Sequence, residues 1–338
     1  MPTNRQIQLV SRPTGEPSTA NFALVETAIP SLQDGEVLVR NHFLSLDPYM
    51  RGRMNDGKNY AAPQPLNAVM IGGTVGEVVE SKNPSFTVGD HVVGMGGWQE
   101  YFLVGAAQRG VIQKVETAHI PLSAYLGPVG MPGVTGWYGL TQIIDIKAGE
   151  TLVVSAASGA VGTVVGQLAK ARGARVVGIA GGADKCAYVV DTLGFDACVD
   201  YKANNDAKAL FSAIKTACPA GIDGYFENVG GIAMNAVFAN CNAFARVAVC
   251  GMISGYNGEP IPLQFPQLIL TQRMKVQGFI VSEHMEIWPQ ALKELGGMVA
   301  TGKLKFKESI AQGIAAAPEA FLGLLKGQNF GKQLVKLV

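Results

Sequence analysis

The stretch that decides the fold is Thr151–Lys170, TLVVSAASGAVGTVVGQLAK. Thr151–Ser155 is short and rich in β-branched apolar residues, which predicts a buried parallel strand, and apolar residues at helical spacing follow. Between them lies Ala157–Gly162, an A-x-G-x-x-G variant of the dinucleotide fingerprint. In such a turn Gly159 permits close approach of a pyrophosphate to the helix start, and Gly162 lets helix and strand pack together. The alternative is an ordinary α/β turn without a ligand.

Composition excludes several classes of partner. The chain has 338 residues, enough for about two domains, and 27 basic against 26 acidic residues give a net charge of +1. Because no basic tract occurs, we expect neither nucleic acid nor an anionic membrane as a partner. Thr151–Ala169 is uncharged, but its Ser, Thr and Gly content and its change of period disfavour a membrane span. The first residues lack a signal-peptide pattern, and the five cysteines form no C-x-x-C, so we expect a cytoplasmic protein with reduced thiols.

The order of predicted elements divides the chain. Residues up to about 125 hold short strands bounded by turn residues, which favours a small barrel or sandwich. From about residue 126, strands alternate with helices, which predicts a doubly wound parallel sheet. The six predicted strands are Thr151–Ser155, Ala174–Ala180, Ala197–Asp200, Gly224–Val229, Ala245–Cys250 and Lys275–Val281. A last helix, Ala315–Lys326, and a last strand, Lys332–Val338, either close this sheet or return to the first domain.

The end of the second predicted strand indicates which coenzyme binds. NAD enzymes usually place Asp or Glu there to bond the ribose 2′-hydroxyl, whereas this strand ends in Gly181-Gly182. Lys185 follows closely, and Tyr201 comes just after the third strand; an ammonium and a phenol suit a 2′-phosphate. We therefore predict NADPH. The alternative is that the Asp184 carboxylate binds the ribose hydroxyls, in which case the coenzyme would be NAD.

No other catalytic group stands out in the sequence. The four histidines are far apart and lie beside no cysteine, no H-E-x-x-H motif occurs, and we expect no metal site. No G-x-S-x-G elbow supports acyl transfer. These patterns leave a nicotinamide as the reactive group, with the protein positioning a substrate beside it.

Four further segments carry a resemblance to a known family. They are Leu44–Met54 (LSLDPYMRGRM), Gly130–Gly136 (GMPGVTG), Glu227–Gly231 (ENVGG) and Gly323–Lys332 (GLLKGQNFGK). Together they resemble the zinc-independent medium-chain reductases that act on conjugated double bonds, which include leukotriene B4 dehydrogenase/prostaglandin reductase, plant alkenal double-bond reductases and bacterial curcumin reductase. Gly96–Gln99 and Ala180–Cys186 are most similar to the curcumin-reductase branch.

The resemblance implies a fold and a reaction. It implies a GroES-like β-barrel domain of residues 1–125 and 301–338 and a Rossmann NADP-binding domain of residues 126–300. The implied reaction is NADPH-dependent reduction of the C=C bond of an α,β-unsaturated ketone or aldehyde, with hydride delivered to the β-carbon. Because Leu46–Tyr49 stands where zinc-dependent relatives place ligands, hydrogen bonds must replace the metal in polarising the carbonyl.

The resemblance also assigns residues to the site. Tyr256 and Tyr49 are the implied catalytic residues, and Tyr49, Tyr60 and Tyr256 the implied substrate-binding residues. Three sources of the proton that the α-carbon receives stay open: Tyr256, a ribose hydroxyl and water. Arg51 and Arg53 flank Gly52, and we expect them to lie in a solvated loop; the alternative is that they bind an anionic group. The implied coenzyme-binding residues are Gly159, Ala160, Val161, Gly162, Gly182, Lys185, Tyr201, Asn228, Met131, Thr135, Gly251, Ile253, Phe279, Ile280, Val281 and Asn329.

Assembly and function keep alternatives at this point. Lys275–Val281 reads as an apolar edge strand, and members of the family pair this strand across a two-fold axis, so we expect a homodimer; the alternative is an edge covered by a loop. The substrate is expected to be a small enone or enal. Two other functions stay open, an NADPH quinone oxidoreductase and a non-catalytic NADPH-binding protein.

Overall fold

The computed structural model describes residues 3–108 and 110–338. Its strands are β1 Thr3–Leu9, β2 Phe22–Ala28, β3 Val37–Ser45, β4 Ala68–Val69, β5 Thr74–Ser81, β6 His91–Gly94, β7 Tyr101–Val104, β8 Ile112–Lys114, β9 Thr151–Ser155, β10 Arg175–Ala180, β11 Ala197–Asp200, β12 Ile222–Glu227, β13 Cys241–Val249, β14 Lys275–Gly278, β15 Glu308–Gln312 and β16 Lys332–Lys336. Its α-helices are α1 Tyr49–Arg53, α2 Met131–Tyr138, α3 Ala160–Ala171, α4 Ala183–Ala187, α5 Ala207–Ala217, α6 Gly231–Phe238, α7 Gln267–Thr271, α8 Trp288–Ala300 and α9 Ala317–Leu325. Two π-helical segments, Gly139–Ile144 and Tyr188–Thr192, follow α2 and α4.

The chain forms two compact units, of which one is Gly127–Lys307. In this unit six parallel strands lie in the order β11-β10-β9-β12-β13-β14, which confirms the predicted doubly wound sheet. All five residues of β9 are buried, as expected for a strand covered on both faces. The edge strand β14 ends at Gly278, so the predicted strand to Val281 was too long; Val281 begins a 3₁₀ turn.

The other unit combines residues up to Leu126 with Glu308–Val338. Its larger sheet follows the path β15-β16-β3-β5-β6-β8, with β7 paired to β3, and β1 joins β2 and β4 in a smaller sheet. The last strand, β16, pairs with β3, so the end of the chain returns to the first domain rather than closing the doubly wound sheet. The Trp98 ring, fully buried, stacks on Phe22 at 5.5 Å and meets the edge of Phe321 of α9 at 5.6 Å between ring centroids.

The chain leaves the doubly wound unit after Lys307, later than the boundary at residue 300 that the sequence indicated. Residues 301–307, assigned above to the GroES-like domain, belong to the doubly wound unit. Gln167 of α3 explains this placement, because its amide donates to the Lys305 carbonyl at 2.7 Å and accepts from the Lys305 N–H at 2.9 Å. Within the described residues, no helix combines the length and the apolarity that a membrane crossing requires.

Candidate active site

The turn between β9 and α3 is shaped for close backbone approach. Ala156 takes a left-handed conformation (φ 49°), and Gly159 caps α3 in an extended one. A Cβ atom at Gly162 would lie 2.5 Å from the Ala156 carbonyl oxygen, so only glycine lets the helix start against the turn. The first backbone N–H groups of α3, from Ala160 and Val161 onward, have no carbonyl within the helix to bind. The turn therefore offers donors and a helix dipole to a phosphate.

A second polar turn lies at the ends of β10 and β11. Gly182 has a φ of 102°, which favours glycine, and its N–H donates to the Asp200 carboxylate at 2.8 Å. The Lys202 N–H donates to the same carboxylate oxygen at 2.9 Å. Burial opposes ionisation of Asp200, but these backbone donors lower the pKa of Asp200 below its ordinary value. Asp200 thus fixes the turn that presents Tyr201, whose side chain stands against Gly181.

Two lysines give this second turn its charge. Partial burial, and then the nearby positive charge of Lys202, lower the pKa of Lys185. Sequence reasoning found Lys185 and Tyr201 but missed Lys202, although it directly follows Tyr201. Asp184, the possible ribose ligand, is exposed in the first turn of α4. Two ammonium groups with a phenol beside them suit a dianionic phosphate.

On the other side of β9, a buried network holds Asn228. The Glu227 side chain is fully buried and accepts from Ser155 Oγ at 2.8 Å and from the Tyr225 hydroxyl at 2.6 Å. Ser155 Oγ in turn accepts from the Asn228 N–H at 2.8 Å, and Asn228 Nδ2 donates to the Ser155 carbonyl at 2.8 Å. The donor end of this amide is thus bound to β9, and its oxygen is the end a hydroxyl donor would meet. Asn228 was predicted from the family resemblance alone, and no role was predicted for Ser155 or Glu227.

The loop after β13 is joined to the loop after β12. Gly251 and Ile253 donate their N–H groups to the carbonyls of Glu227 and Asn228, at 3.2 and 3.3 Å. The Tyr256 hydroxyl folds back over this loop, where it accepts from the Met252 N–H at 3.4 Å. A Cβ at Gly251 would lie 3.0 Å from that hydroxyl. The structure therefore brings Asn228, Gly251, Ile253 and Tyr256 together at the carboxyl ends of the parallel strands, where ligands bind in such sheets.

The remaining predicted residues of this unit lie on α2 and after β14. Met131 is partly exposed, and Thr135 Oγ1 donates to its carbonyl at 2.7 Å one turn later in α2. The Phe279 ring packs against Tyr138 at 5.4 Å and against Phe226 at 6.3 Å between centroids. Ile280 is extended, and the buried Val281 accepts from the Trp288 indole at 3.3 Å. These contacts fix the elements that carry the predicted residues.

Tyr49 and Tyr60 lie in the other unit and interact with each other. Burial, together with the charge of Asp47 and the neighbouring Tyr60, raises the pKa of Tyr49 well above its ordinary value. Tyr49 is therefore a neutral phenol at all physiological pH. Asp47 accepts from Ser45 Oγ and forms an ion pair with the buried Lys332 at 2.8 Å. Lys332 also donates to the Leu46 carbonyl at 2.7 Å, so this pair anchors the loop before Tyr49.

Two other predictions in this unit have different outcomes. Asn329 donates to the Gly331 carbonyl at 2.7 Å and lines an open cavity of about 470 Å³ with Ser309, Gln328 and Gln333. The expectation of a solvated loop was wrong for Arg51, which is only 2 % exposed. Its guanidinium donates to the Asn55 side chain at 2.7 Å and to the Gly15 carbonyl at 2.6 Å, so Arg51 ties α1 to an earlier loop.

Histidines and carboxylates are not grouped as metal ligands in the described part of the chain. Within residues 3–108 and 110–338, no three His, Cys, Asp or Glu side chains converge as a possible metal centre. His42 lies beside His91 and Glu77, and His284 stacks on Tyr138 and shares a hydrogen bond of 2.9 Å with its hydroxyl. His284 is thus a packing residue.

Comparison with known proteins gives two family matches and relatives that align over nearly the whole chain. Residues 5–112 match the family described as N-terminal domain of oxidoreductase, and residues 160–296 match the family described as zinc-binding dehydrogenase. The chain is 44 % identical to the NADPH-dependent curcumin reductase of Escherichia coli (99 % of this chain, 97 % of the relative). It is 42 % identical to prostaglandin reductase 1 of Rattus norvegicus (95 % of each) and 39 % identical to the 2-alkenal reductase (NADP(+)-dependent) of Nicotiana tabacum (98 % and 97 %).

A solved structure has the same architecture. The crystal structure of CurA in complex with NADPH from Vibrio vulnificus superposes with a TM-score of 0.91 at 44 % identity and covers 99 % of both chains. With the two matched families, this likeness confirms the predicted fold class, a GroES-like domain combined with a Rossmann sheet.

The approach of α3 to its turn generates a test. We expect Gly162→Ala to weaken NADPH binding and to lower the free energy of unfolding by about 1–3 kcal/mol, because the added methyl meets backbone atoms. Gly297→Ala is the matched control: its Cβ in α8 meets nothing within 4 Å, so it should leave binding unchanged and stabilise by up to about 1 kcal/mol. Urea unfolding and coenzyme fluorescence titration measure both quantities. Equal binding by the two variants contradicts the assignment of this turn.

Proposed function

The chain belongs to the medium-chain dehydrogenase/reductase family that includes curcumin, prostaglandin and 2-alkenal reductases, and on that premise we propose that it uses NADPH to reduce the C=C bond of α,β-unsaturated ketones and aldehydes. The observation that carries the proposal is the second turn, where Lys185 and Lys202 lie close enough to repel each other and Tyr201 stands against Gly181, at the end of a strand that lacks the acid typical of NAD enzymes. That charge suits the 2′-phosphate that distinguishes NADPH from NADH.

The residues of the doubly wound unit suit this coenzyme. The α3 turn would hold the pyrophosphate, Lys185 and Tyr201 the 2′-phosphate, and the Asn228 oxygen a ribose hydroxyl. The backbone of Gly251, Ile253 and Phe279–Val281 would line the nicotinamide end, with Met131 and Thr135 beside it. When bound, NADPH supplies the hydride that the β-carbon receives.

Two tyrosines would serve the substrate. As hydride arrives at the β-carbon, negative charge grows on the carbonyl oxygen, and a fixed donor there stabilises the transition state. We assign that donor role to Tyr256, whose hydroxyl is positioned over the Gly251 loop. Tyr49 is the second candidate donor, because its raised pKa keeps it protonated, and Tyr60 beside it would contact the substrate's carbon skeleton.

Five free cysteines suit the cytoplasm, where we place the protein.

Removal of the Lys185 ammonium tests the coenzyme assignment. We expect Lys185→Ala to raise the KM for NADPH by roughly ten- to a hundredfold, the equivalent of one charged hydrogen bond, and to leave the KM for NADH unchanged. Lys208→Ala removes an exposed lysine of α5 and should change neither value. Steady-state kinetics with both coenzymes measure the effect. A variant that still prefers NADPH as strongly as the wild type does would show that Lys185 does not read the phosphate.

Product analysis tests the reaction itself. With NADPH deuterated at the transferred position, a conjugated ketone should become a saturated ketone that carries deuterium at the β-carbon. Tyr256→Phe should lower kcat about a hundredfold without changing the KM for NADPH, because it removes a donor used in the transition state. Tyr125→Phe, which loses a phenol bonded to the Glu116 carbonyl, is the control. An allylic alcohol as product, or turnover of quinones alone, would exclude the proposed reaction.

We also propose that the protein is a homodimer formed through β14. Lys275 and Val276 are exposed on this edge strand, and Leu270 of the preceding α7 is 79 % exposed. An edge strand that leaves one side of its backbone unpaired and carries an exposed apolar side chain is suited to pairing with a second copy. Val276→Lys should therefore yield monomers in sedimentation-velocity experiments, whereas Val88→Lys, at a residue 60 % exposed in the other unit, should not. Dimers that survive the first substitution would place the interface elsewhere.

A further inference from the structure

A buried ion pair ties the last strand of the chain to the loop that precedes α1. The Lys332 ammonium, on β16, lies 2.8 Å from one Asp47 carboxylate oxygen and donates to the Leu46 carbonyl at 2.7 Å. The other Asp47 carboxylate oxygen accepts from Ser45 Oγ, and the Leu46 N–H donates to the Gln333 carbonyl at 3.1 Å. The backbone and the side chain of this loop are thus both bound to β16.

The register of the strands explains why these two residues meet. β16 pairs antiparallel with β3, and Leu334 lies opposite Ser45. Two residues farther along the same register, Lys332 comes opposite Asp47, just beyond the end of β3. A slip of one residue would send Lys332 to the other face of the sheet, so the pairing of the strands specifies this contact.

Stability alone is a poor explanation for an ion pair at this depth. The Lys332 and Asp47 side chains are only 4 % and 9 % exposed. Taking two ions out of water costs about as much free energy as their attraction returns, and apolar residues of similar volume often support a fold equally well. The pair does restrict geometry, because the ammonium must keep the carboxylate and the Leu46 carbonyl within reach together. A fixed position of the loop is therefore the property that this pair supplies.

The position of the loop determines the position of Tyr49. Pro48 follows Asp47 with a φ of −58°, which its ring fixes. The Asp47 carbonyl accepts from the Met50 N–H at 3.1 Å, and the Pro48 carbonyl accepts from the Arg51 N–H at 3.0 Å, so α1 starts directly from the loop. Met50 is fully buried. A displacement of Asp47 would therefore displace the Tyr49 side chain two residues later.

We propose that Lys332 is a positioning residue for Tyr49, which it holds through Asp47 in the place where the phenol meets the substrate. The inference rests on the proposed function, since it requires that Tyr49 contact the substrate. Lys332 is itself buried and acts through the loop. Misplacement of a contacting group by about 1 Å can lower a rate about a hundredfold, so a small shift of the loop is sufficient.

A double substitution that removes both charges tests the proposal. Lys332→Met alone would leave a buried carboxylate unpaired, whereas Lys332→Met/Asp47→Asn leaves no unpaired charge and keeps an acceptor for Ser45 Oγ, so the fold should persist. With benzylideneacetone as substrate, kcat/KM should fall roughly ten- to a hundredfold. The Kd for NADPH, measured by fluorescence titration, should stay unchanged. Hydrogen–deuterium exchange of residues 46–53 should become faster, because the loop has lost its bonds to the ammonium.

The Tyr49→Phe background separates positioning from a general structural role. If Lys332 acts through the Tyr49 hydroxyl, adding Lys332→Met/Asp47→Asn to Tyr49→Phe should lower kcat/KM by no more than about twofold further, because residues that act as a unit are not additive. The same loss in both backgrounds would show that the pair supports the fold in general, and this result would overturn the proposal. Wild-type kcat/KM in the double variant, or unchanged exchange of residues 46–53, would also overturn it.

Lys336→Met is the matched control for the loss of a lysine from β16. Lys336 is exposed, so its replacement should change neither kcat/KM nor the exchange of residues 46–53. If the wild type reduces no conjugated ketone, the proposed function fails, while the exchange measurement still decides whether Lys332 and Asp47 fix the loop before Tyr49.

Discussion

The close approach of α3 to the end of β9 is the constraint on which the proposed coenzyme site of the Gly127–Lys307 unit depends. The Ala156 carbonyl occupies the space that a side chain at residue 162 would need, and Ala156 itself adopts a left-handed conformation to reach it. Strand β9 lies between β10 and β12. The turn after β9 therefore lies at the centre of the carboxyl edge of the sheet, where ligands bind in folds of this kind. The second turn, at Gly182, lies on one side of it, and the Asn228 network lies on the other.

The sequence was informative where a structure follows from a local period. The buried strand, glycine turn and helix of residues 151–170 could be read directly, since each has its own pattern. The sequence analysis gave Glu227 no role of its own, because a buried carboxylate can be interpreted only once its hydrogen-bond partners are known. Ser155 is one of them, and it lies 72 residues earlier in the chain. No local pattern could have paired these residues, and the position of Asn228, the proposed coenzyme ligand, depends on both.

Long-range contacts account for the errors as well. Arg51 was expected to lie in a solvated loop. The Gly15 carbonyl, 36 residues away, satisfies its guanidinium and makes its burial tolerable. Residues 301–307 were assigned to the wrong unit for a similar reason, since only the paired amide of Gln167 shows where Lys305 belongs. In both cases one distant polar partner decides the position, and sequence periodicity carries no information about it.

In the proposed coenzyme site, Lys185 and Lys202 would favour a phosphorylated coenzyme before one binds. Holding two ammonium groups near each other in a partly buried place costs free energy, and the lowered pKa of Lys185 reflects that cost. A ribose hydroxyl cannot offset it, whereas a phosphate dianion relieves both the repulsion and the loss of hydration. A bound phosphate would raise the pKa of Lys185. Affinity for the phosphorylated coenzyme would therefore decrease once the pH exceeds the pKa that Lys185 has in the free enzyme. In the proposed site, selectivity for NADPH would come as much from the repulsion and lost hydration of the two ammonium groups in the empty site as from contacts in the filled one.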